Sequence, residues 1–359
     1  MSLSERLAHA QGEMAALGCE LALFGSGADL LYLTGYEAMP LERLTMLVVP
    51  AEGEATLFVP ELEAPRVGEG PFRLRPWKET DDPIALVADL VGSPATAAVS
   101  DQLWALFLLA LQERLPRTRF ISATAITRPL RVRKQPAELE RLRSASRAAD
   151  RVVERLRQER FGGRSERELS RRIVDLTVEE GHDQAAFWIV ASGPNGASPH
   201  HEPGPRVIEQ GDLVVVDFGG KVGGYGSDCT RTFAVGSPTQ EQEEVHAVVL
   251  AAQQAAMATV APGVAAEDVD REARQVITEA GYGEYFIHRT GHGIGLEGHE
   301  HPYLVEGNRE LLEAGMCFSI EPGIYLPGRF GVRIEDIVTV TTHGVEALNQ
   351  ADRSLQVVS

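Results

Sequence analysis

Residues 5–18 alternate apolar and polar positions with a helical period that stops at Gly18, which predicts an opening helix. Strand-length apolar runs follow at Glu20–Phe24, Thr45–Val49 and Ala55–Val59, each bounded by Gly, Pro or acidic residues. Helical patterns return at Pro83–Val91 and Leu103–Leu115, so residues 1–128 read as a smaller α/β domain. The stretch 126–136 is basic and carries two prolines. Its Arg131, Arg133 and Lys134 read as a solvated linker leading into a second domain, residues 129–359. There Pro136 opens a helix, where a missing N–H costs nothing. Ser165–Glu168 forms a capping box for the next helix, which ends at Gly181. Further helices are predicted from Pro238 to about Val260 and from about Glu267 to Ala280. Strands are expected at Leu213–Phe218, Thr230–Ala234, Cys317–Glu321 and, as one run, Val332–Val340.

Composition narrows the function. The chain has 359 residues with 34 Lys+Arg against 52 Asp+Glu, a formal charge of −18. That acidic balance argues against nucleic-acid or anionic-membrane partners, which need clustered cations. No apolar run is long enough for a membrane span. Three cysteines without metal-type spacing, and a charged start without an apolar signal core, fit a reducing, cytoplasmic setting.

The candidate chemistry lies beyond residue 193. Asp217 ends the apolar run Val-Val-Val-Asp, and a buried acid there is costly unless something positive meets it. Asp228 comes after a glycine-rich stretch, and a hairpin would bring the two carboxylates together. Glu321 and Glu335 sit in apolar runs of their own, and His292 lies in Gly-His-Gly-Ile-Gly, where small neighbours let backbone approach closely. Singly, each acid is most simply a strand-end cap or a surface charge. Together in one cavity, like charges at ~4 Å would repel by about 4 kcal/mol per pair at an effective dielectric of 20. Two divalent cations would cancel them, and an oxygen-rich donor set with an imidazole suits Mn²⁺, Co²⁺, Fe²⁺ or Zn²⁺.

These motifs resemble those of the pita-bread metallopeptidases, in particular the proline-specific branch of Xaa-Pro aminopeptidases (aminopeptidase P) and Xaa-Pro dipeptidases (prolidases). The matching segments are Ser192–Asn195 with Pro199-His200, Val216–Gly219, Ser227–Thr232, Gly291–Gly295, Ile320–Gly323 and Val332–Asp336. The resemblance implies an α+β fold, a pita-bread catalytic domain preceded by the smaller α/β domain. It implies two divalent metals, Mn²⁺ foremost with Co²⁺ or Zn²⁺ as alternatives. Asp217 would serve one metal, His292 and Glu321 the other, and Asp228 and Glu335 both. It implies hydrolysis of an Xaa-Pro bond by a hydroxide bridging the metals, with Glu321 also shuttling the proton. His200 and His299 would face substrate, His288 would stand at the pocket wall, and Arg333 would orient a ligand carboxylate. The partners implied are proline-containing peptides and a second copy in a homodimer.

Other signals carry less. Gly293–Gly298 spells G-x-G-x-x-G, but the next residues, His-Glu-His-Pro, make a poor helix start for a dinucleotide site. A single-zinc triple-His site would leave the strand acids without a role, and a metal-free binding module sits badly with a complete donor set. Tyr325 is balanced between the site and a turn. Phe187 and Trp188 read as core, Cys229 as a small apolar filler, His201 and His301 as pocket neighbours, and His9, His182, His246 and His343 as surface. Several prolidases hold the dipeptide carboxylate with an Arg in the loop after the residue matching His299. Here Glu300–Leu304 contains none, and the next is Arg309. That absence favours aminopeptidase P, with prolidase as the alternative.

Overall fold

The computed structural model describes residues 1–359 and divides into two compact units, Met1–Arg131 and Val132–Ser359. In the first, the chain runs α1 (Leu3–Ala16), β1 (Leu21–Gly25), α2 (Ala28–Thr34), β2 (Met46–Pro50), β3 (Ala55–Pro60), β4 (Phe72–Trp77), α3 (Pro83–Val91), β5 (Thr96–Val99), α4 (Ala105–Arg114), β6 (Arg119–Ser122) and α5 (Thr124–Arg131). The strands form one mixed sheet in the order β4-β3-β2-β1-β5-β6. Its central strands are buried on both faces, which is why they read as continuous apolar runs. The strands that the apolar pattern does not announce are the outer ones. β4 carries Arg73, Arg75 and Pro76, the charge and proline that mark an edge strand. Helix α5 runs through residue 128 and carries the unit on to Arg131, whose guanidinium meets Asp29 at 2.6 Å.

The second unit holds α6 (Pro136–Leu156), α7 (Glu166–Glu179), β7 (Gln184–Ser192), β8 (Leu213–Val222), β9 (Tyr225–Gly226), β10 (Cys229–Val235), α8 (Gln240–Thr259), α9 (Ala266–Glu279), β11 (Gly291–Gly293), β12 (Glu300–Leu304), β13 (Cys317–Ile320), β14 (Gly323–Leu326), β15 (Phe330–Arg333), β16 (Asp336–Val340), β17 (Val345–Ala347) and β18 (Gln356–Val358). One sheet has the order β18-β10-β8-β7, a second β12-β11-β13-β16-β17, and β14–β15 stands as a hairpin. Each sheet is backed by a pair of helices. Val152, Val153, Leu169 and Ile173 of α6 and α7 pack on Val214, Val216 and Phe218 of β8. Val245, Val249, Val269 and Ala273 of α8 and α9 join Phe318 and Val338 in the second core. Since β8 alternates, its Val214, Val216 and Phe218 face these helices and Asp217 faces the other way. The other side of the sheet is thus left for the acids.

Several sequence expectations are corrected here. Val332–Val340 is not one strand: β15 ends at Arg333, β16 begins at Asp336, and the two belong to different sheets. Between them the Glu335 amide donates to the Thr230 carbonyl at 3.1 Å, pulling this acid across to the β8–β10 sheet. Lys134 is no solvated linker residue; it is 7 % exposed and pairs with Glu300 at 2.5 Å. His182 and His246 are buried rather than on the surface. His182 is held between the Thr177 carbonyl and the Ser227 hydroxyl, and His246 lies on the inner face of α8. Trp188 is 41 % exposed rather than core, although it stands opposite Phe218, because β7 is the terminal strand of its sheet.

Candidate metal centre

Two hairpin-like connections deliver the acids. β8 and β10 pair antiparallel with Asp217 opposite Thr230, so Asp217 and Asp228 come from neighbouring strands. From the other sheet come His292 on β11, Glu321 just beyond β13 and Glu335 between β15 and β16. The glycines flanking His292 have a steric reason: a Cβ at Gly291 would collide with the Ser319 carbonyl and one at Gly293 with the His301 carbonyl. Ligand-type atoms of Asp217, Asp228 and Glu335 all lie within 4.8 Å of one another, as do those of His292, Glu321 and Glu335. Glu335 is common to both groups. A third group of the same compactness joins Asp228 and His292 to His299.

The polar atoms around the cluster are arranged to leave it electron-rich. The His292 Nδ1–H donates to the Gly293 carbonyl at 3.1 Å, so Nε2 presents a lone pair. That lone pair faces Glu321 Oε1 at 3.2 Å and Asp228 Oδ2 at 3.7 Å. The Ser319 hydroxyl accepts from the His292 amide and donates to Glu321, fixing the two together. Thr230 donates to Glu335 Oε2 at 2.7 Å, and Arg333 donates to Asp217 Oδ2 at 2.7 Å. The opposite oxygens, Asp217 Oδ1 and Glu335 Oε1, are buried without any hydrogen-bond partner. Burial and then the charge of Glu335 push the Asp228 carboxyl well above the usual carboxylate range, and burial and then Glu321 do the same to Glu335. Buried acceptors without donors, converging on one point, are what bound cations would satisfy. The residues present therefore fit a pair of divalent ions.

Beyond the acids lies a chain of donors. Arg333 also donates to the Tyr325 hydroxyl at 2.9 Å, Tyr325 donates to His288 Nε2 at 2.8 Å, and His288 Nδ1–H donates to the Arg289 carbonyl at 2.7 Å. Tyr325 is thus part of the site, and both ring nitrogens of His288 are occupied. The ligand carboxylate that Arg333 grips is that of Asp217. His299 is exposed at the mouth, its ring centroid 3.8 Å from that of His292. Its Nδ1 lies 3.2 Å from Arg289 Nη2. A guanidinium only donates, so Nδ1 accepts and the proton resides on Nε2.

His200 is exposed on the loop after β7, near enough to His288 and His299 for their charges to interact. Two features hold that loop. Gly196 lies against Gly331 so closely that a Cβ on either would collide with backbone of the other. Glu166, fully buried, accepts from the Ser192 amide and hydroxyl, Asn195 Nδ2, His201 Nε2 and the Gly204 amide at 2.7–3.1 Å. Burial raises the Glu166 pKa, but these bonds, led by the Ser192 amide, outweigh it and hold the carboxyl below its ordinary value. In the sequence Glu166 looks like a first-turn acid of a capped helix, and nothing marks it as the anchor of a loop far along the chain. Arg289, Lys134 and Glu300 are likewise unmarked there.

Comparison with known proteins settles the family. Residues 140–342 match the profile of metallopeptidase family M24, and residues 6–133 that of the Creatinase/Prolidase N-terminal domain. The chain belongs to metallopeptidase family M24. It is 45 % identical to the probable dipeptidase PepE of Mycobacterium tuberculosis, over 99 % of this chain and 96 % of the relative. It is 37 % identical to an Xaa-Pro dipeptidase of Lactobacillus helveticus, over 94 % of this chain and 95 % of that one. Among solved structures, a recombinant prolidase from Thermococcus sibiricus superposes with a TM-score of 0.97 at 38 % identity, each chain fully covered. The expected α+β architecture, a creatinase-type N-terminal domain followed by a pita-bread domain, is that of this M24 enzyme.

Proposed function

We propose that this M24 enzyme is an Xaa-Pro dipeptidase whose centre holds two divalent ions. Asp217 would hold one, His292 and Glu321 the other, and Asp228 and Glu335 would span both. The observation that carries the metal reading is the sharing of Glu335 between two compact donor groups, with the outward oxygens of Asp217 and Glu335 lacking any protein donor. Four carboxylates and an imidazole are hard to borderline donors, and Mn²⁺ is the ion we expect there, with Co²⁺ or Zn²⁺ as substitutes. When bound, such a pair supplies Lewis-acid polarisation of the scissile carbonyl and acidifies water at the site.

The chain's own residues do the rest. Glu321 takes a proton from the attacking water as the C–O bond forms, and delivers it to the prolyl nitrogen as the C–N bond breaks. The delivery matters because a prolyl amide has no N–H, and its nitrogen leaves as a secondary amine. His299, fixed as the Nε2–H tautomer, and His200 on its pinned loop stand at the mouth, where they donate to the oxygen on which charge develops. Arg333 and Thr230 hold Asp217 and Glu335 from behind, so the carboxylates keep their orientation while the charge in front of them changes.

The preference for aminopeptidase P drawn from the Arg-free loop after His299 gives way to the dipeptidase reading, which the dipeptidase and prolidase relatives support. The test is hydrolysis by metal-loaded protein of a dipeptide Xaa-Pro against a tripeptide Xaa-Pro-Yaa. The dipeptide should be strongly preferred; faster cleavage of the tripeptide would restore the aminopeptidase reading.

A further inference from the structure

An aspartate and an arginine one turn apart on an exposed helix face stabilise that helix only weakly. Asp270 and Arg274 of α9 have that spacing, with Arg274 Nε 3.1 Å from Asp270 Oδ2 and Nη2 3.0 Å from Oδ1. Here the pair is turned inward. Asp270 is 1 % exposed, and a carboxylate so buried must find donors. Its Oδ1 accepts from the Thr290 amide at 3.0 Å and from the Thr290 hydroxyl at 2.8 Å. Arg274 donates to the Phe286 carbonyl at 3.0 Å and to the His288 carbonyl at 2.9 Å. Its guanidinium lies over the Phe286 ring, 4.3 Å from the centroid. One ion pair thus clamps the segment 286–290 that leads into β11.

The clamp ends on a junction. Thr290 is fully buried and stands two residues before His292, and its carbonyl accepts from the Glu321 amide at 2.8 Å. His292 and Glu321 are the candidate ligands that serve one ion and not the other. Thr290 therefore ties together the backbones of both, and Asp270 holds Thr290 by amide and hydroxyl. Asp217, the candidate ligand of the other ion alone, has its own support in Arg333. The path from the clamp to Asp217 is longer, through the His288 ring, the Tyr325 hydroxyl and Arg333.

We infer that Asp270 and Arg274 are positioning residues for one ion of the pair, the one held by His292 and Glu321. Through Thr290 they fix the spacing of its two private ligands, so they set its affinity and leave the neighbouring ion nearly untouched. This rests on the two-ion reading of the centre.

The experiment titrates demetallated wild type, Asp270→Asn and Arg274→Lys with Mn²⁺. Binding isotherms are read together with pulsed electron paramagnetic resonance at each equivalent, and melting temperatures are recorded. His292 is the one imidazole in the proposed ligand set, so ¹⁴N coupling marks the ion on its side. Wild type should bind two ions, one of them nitrogen-coupled. Asp270→Asn keeps the shape but offers an N–H where a carboxylate oxygen accepted. Its nitrogen-coupled ion should bind about ten- to a hundred-fold more weakly, the range for loss of an outer support, while the other changes by less than about three-fold. Arg274→Lys keeps the charge but not the fork that reaches two carbonyls, and should fall between. A pair that merely stabilises the fold would lower the melting temperature and weaken both ions alike. Equal weakening of both ions, or wild-type affinity for the nitrogen-coupled ion in Asp270→Asn, overturns the assignment. Should that variant not fold, wild-type affinity for the same ion in Arg274→Lys overturns it equally. A wild-type chain that binds a single ion, or none with nitrogen coupling, refutes the two-ion reading itself, and the assignment falls with it.

Discussion

Replacing Glu166 with alanine removes one carboxylate that receives five hydrogen bonds from residues 192–204. The donors at Asn195 and His201 are partly exposed and can turn to water. The Ser192 and Gly204 amides cannot move without the backbone. The buried Ser192 amide left unpaired costs ~1–3 kcal/mol, the partly buried Gly204 amide less, and the lost charge-assisted bonds add to that. We expect a loss of about 3–5 kcal/mol, a large part of the 5–15 kcal/mol typical of a folded protein. Glu166→Gln keeps the shape but offers an amide N–H where one of the two oxygens accepted, so about 1–3 kcal/mol is expected. The sign with pH comes from a carboxyl held below its ordinary value: the contribution is fully present above about pH 4.5 and is lost as pH falls through the folded-state pKa. Urea unfolding gives the stability term. The functional term is read separately, because the loop carries His200 but none of the five candidate ligands. In a folded Glu166→Gln enzyme kcat/KM should fall about ten- to a hundred-fold through misplacement of His200, while metal content stays at the wild-type level. A Glu166→Ala protein within ~0.5 kcal/mol of wild type and fully active would refute the claim that this carboxylate organises the loop.

Asp228→Ala should lose bound metal together with activity, because Asp228 stands within reach of both donor groups. His200→Ala should lose activity while elemental analysis finds its metal intact. His246 is 4 % exposed, and burial, assisted by the charge of Arg231, pushes its pKa down to about 4. It is thus neutral in the fold and protonates first in the unfolded chain. Its contribution is present above pH 6.5 and erodes toward pH 4, by about 2 kcal/mol between pH 7 and pH 5. His246→Gln should flatten the acid limb of the stability profile by that amount, and an unaltered limb would contradict the assignment.

What the sequence revealed and what it hid divide along physical lines. Asp217, Asp228, His292, Glu321 and Glu335 were legible because charge inside an apolar run is anomalous, and because the glycines beside His292 announce close backbone approach. The helices opening at Ser165 and Pro83 were legible because caps and N1 prolines are local signals. Glu166, Arg289 and the Lys134–Glu300 pair were not, since each occupies an ordinary position and gains its meaning from a partner remote in the chain or on the next strand. The break at Glu335 was hidden for a related reason: Val-Arg-Ile-Glu-Asp-Ile-Val is strand-like throughout, and only pairing with Thr230 decides that the chain changes sheets there.

The most direct test of the binuclear centre is a metal titration of demetallated protein, with elemental analysis after desalting, on wild type and on Glu335→Ala. About two Mn²⁺ are expected per wild-type chain, and loss of both in the variant, because Glu335 belongs to both donor groups. Retention of both ions by Glu335→Ala, or failure of the wild-type chain to hold any, would contradict it.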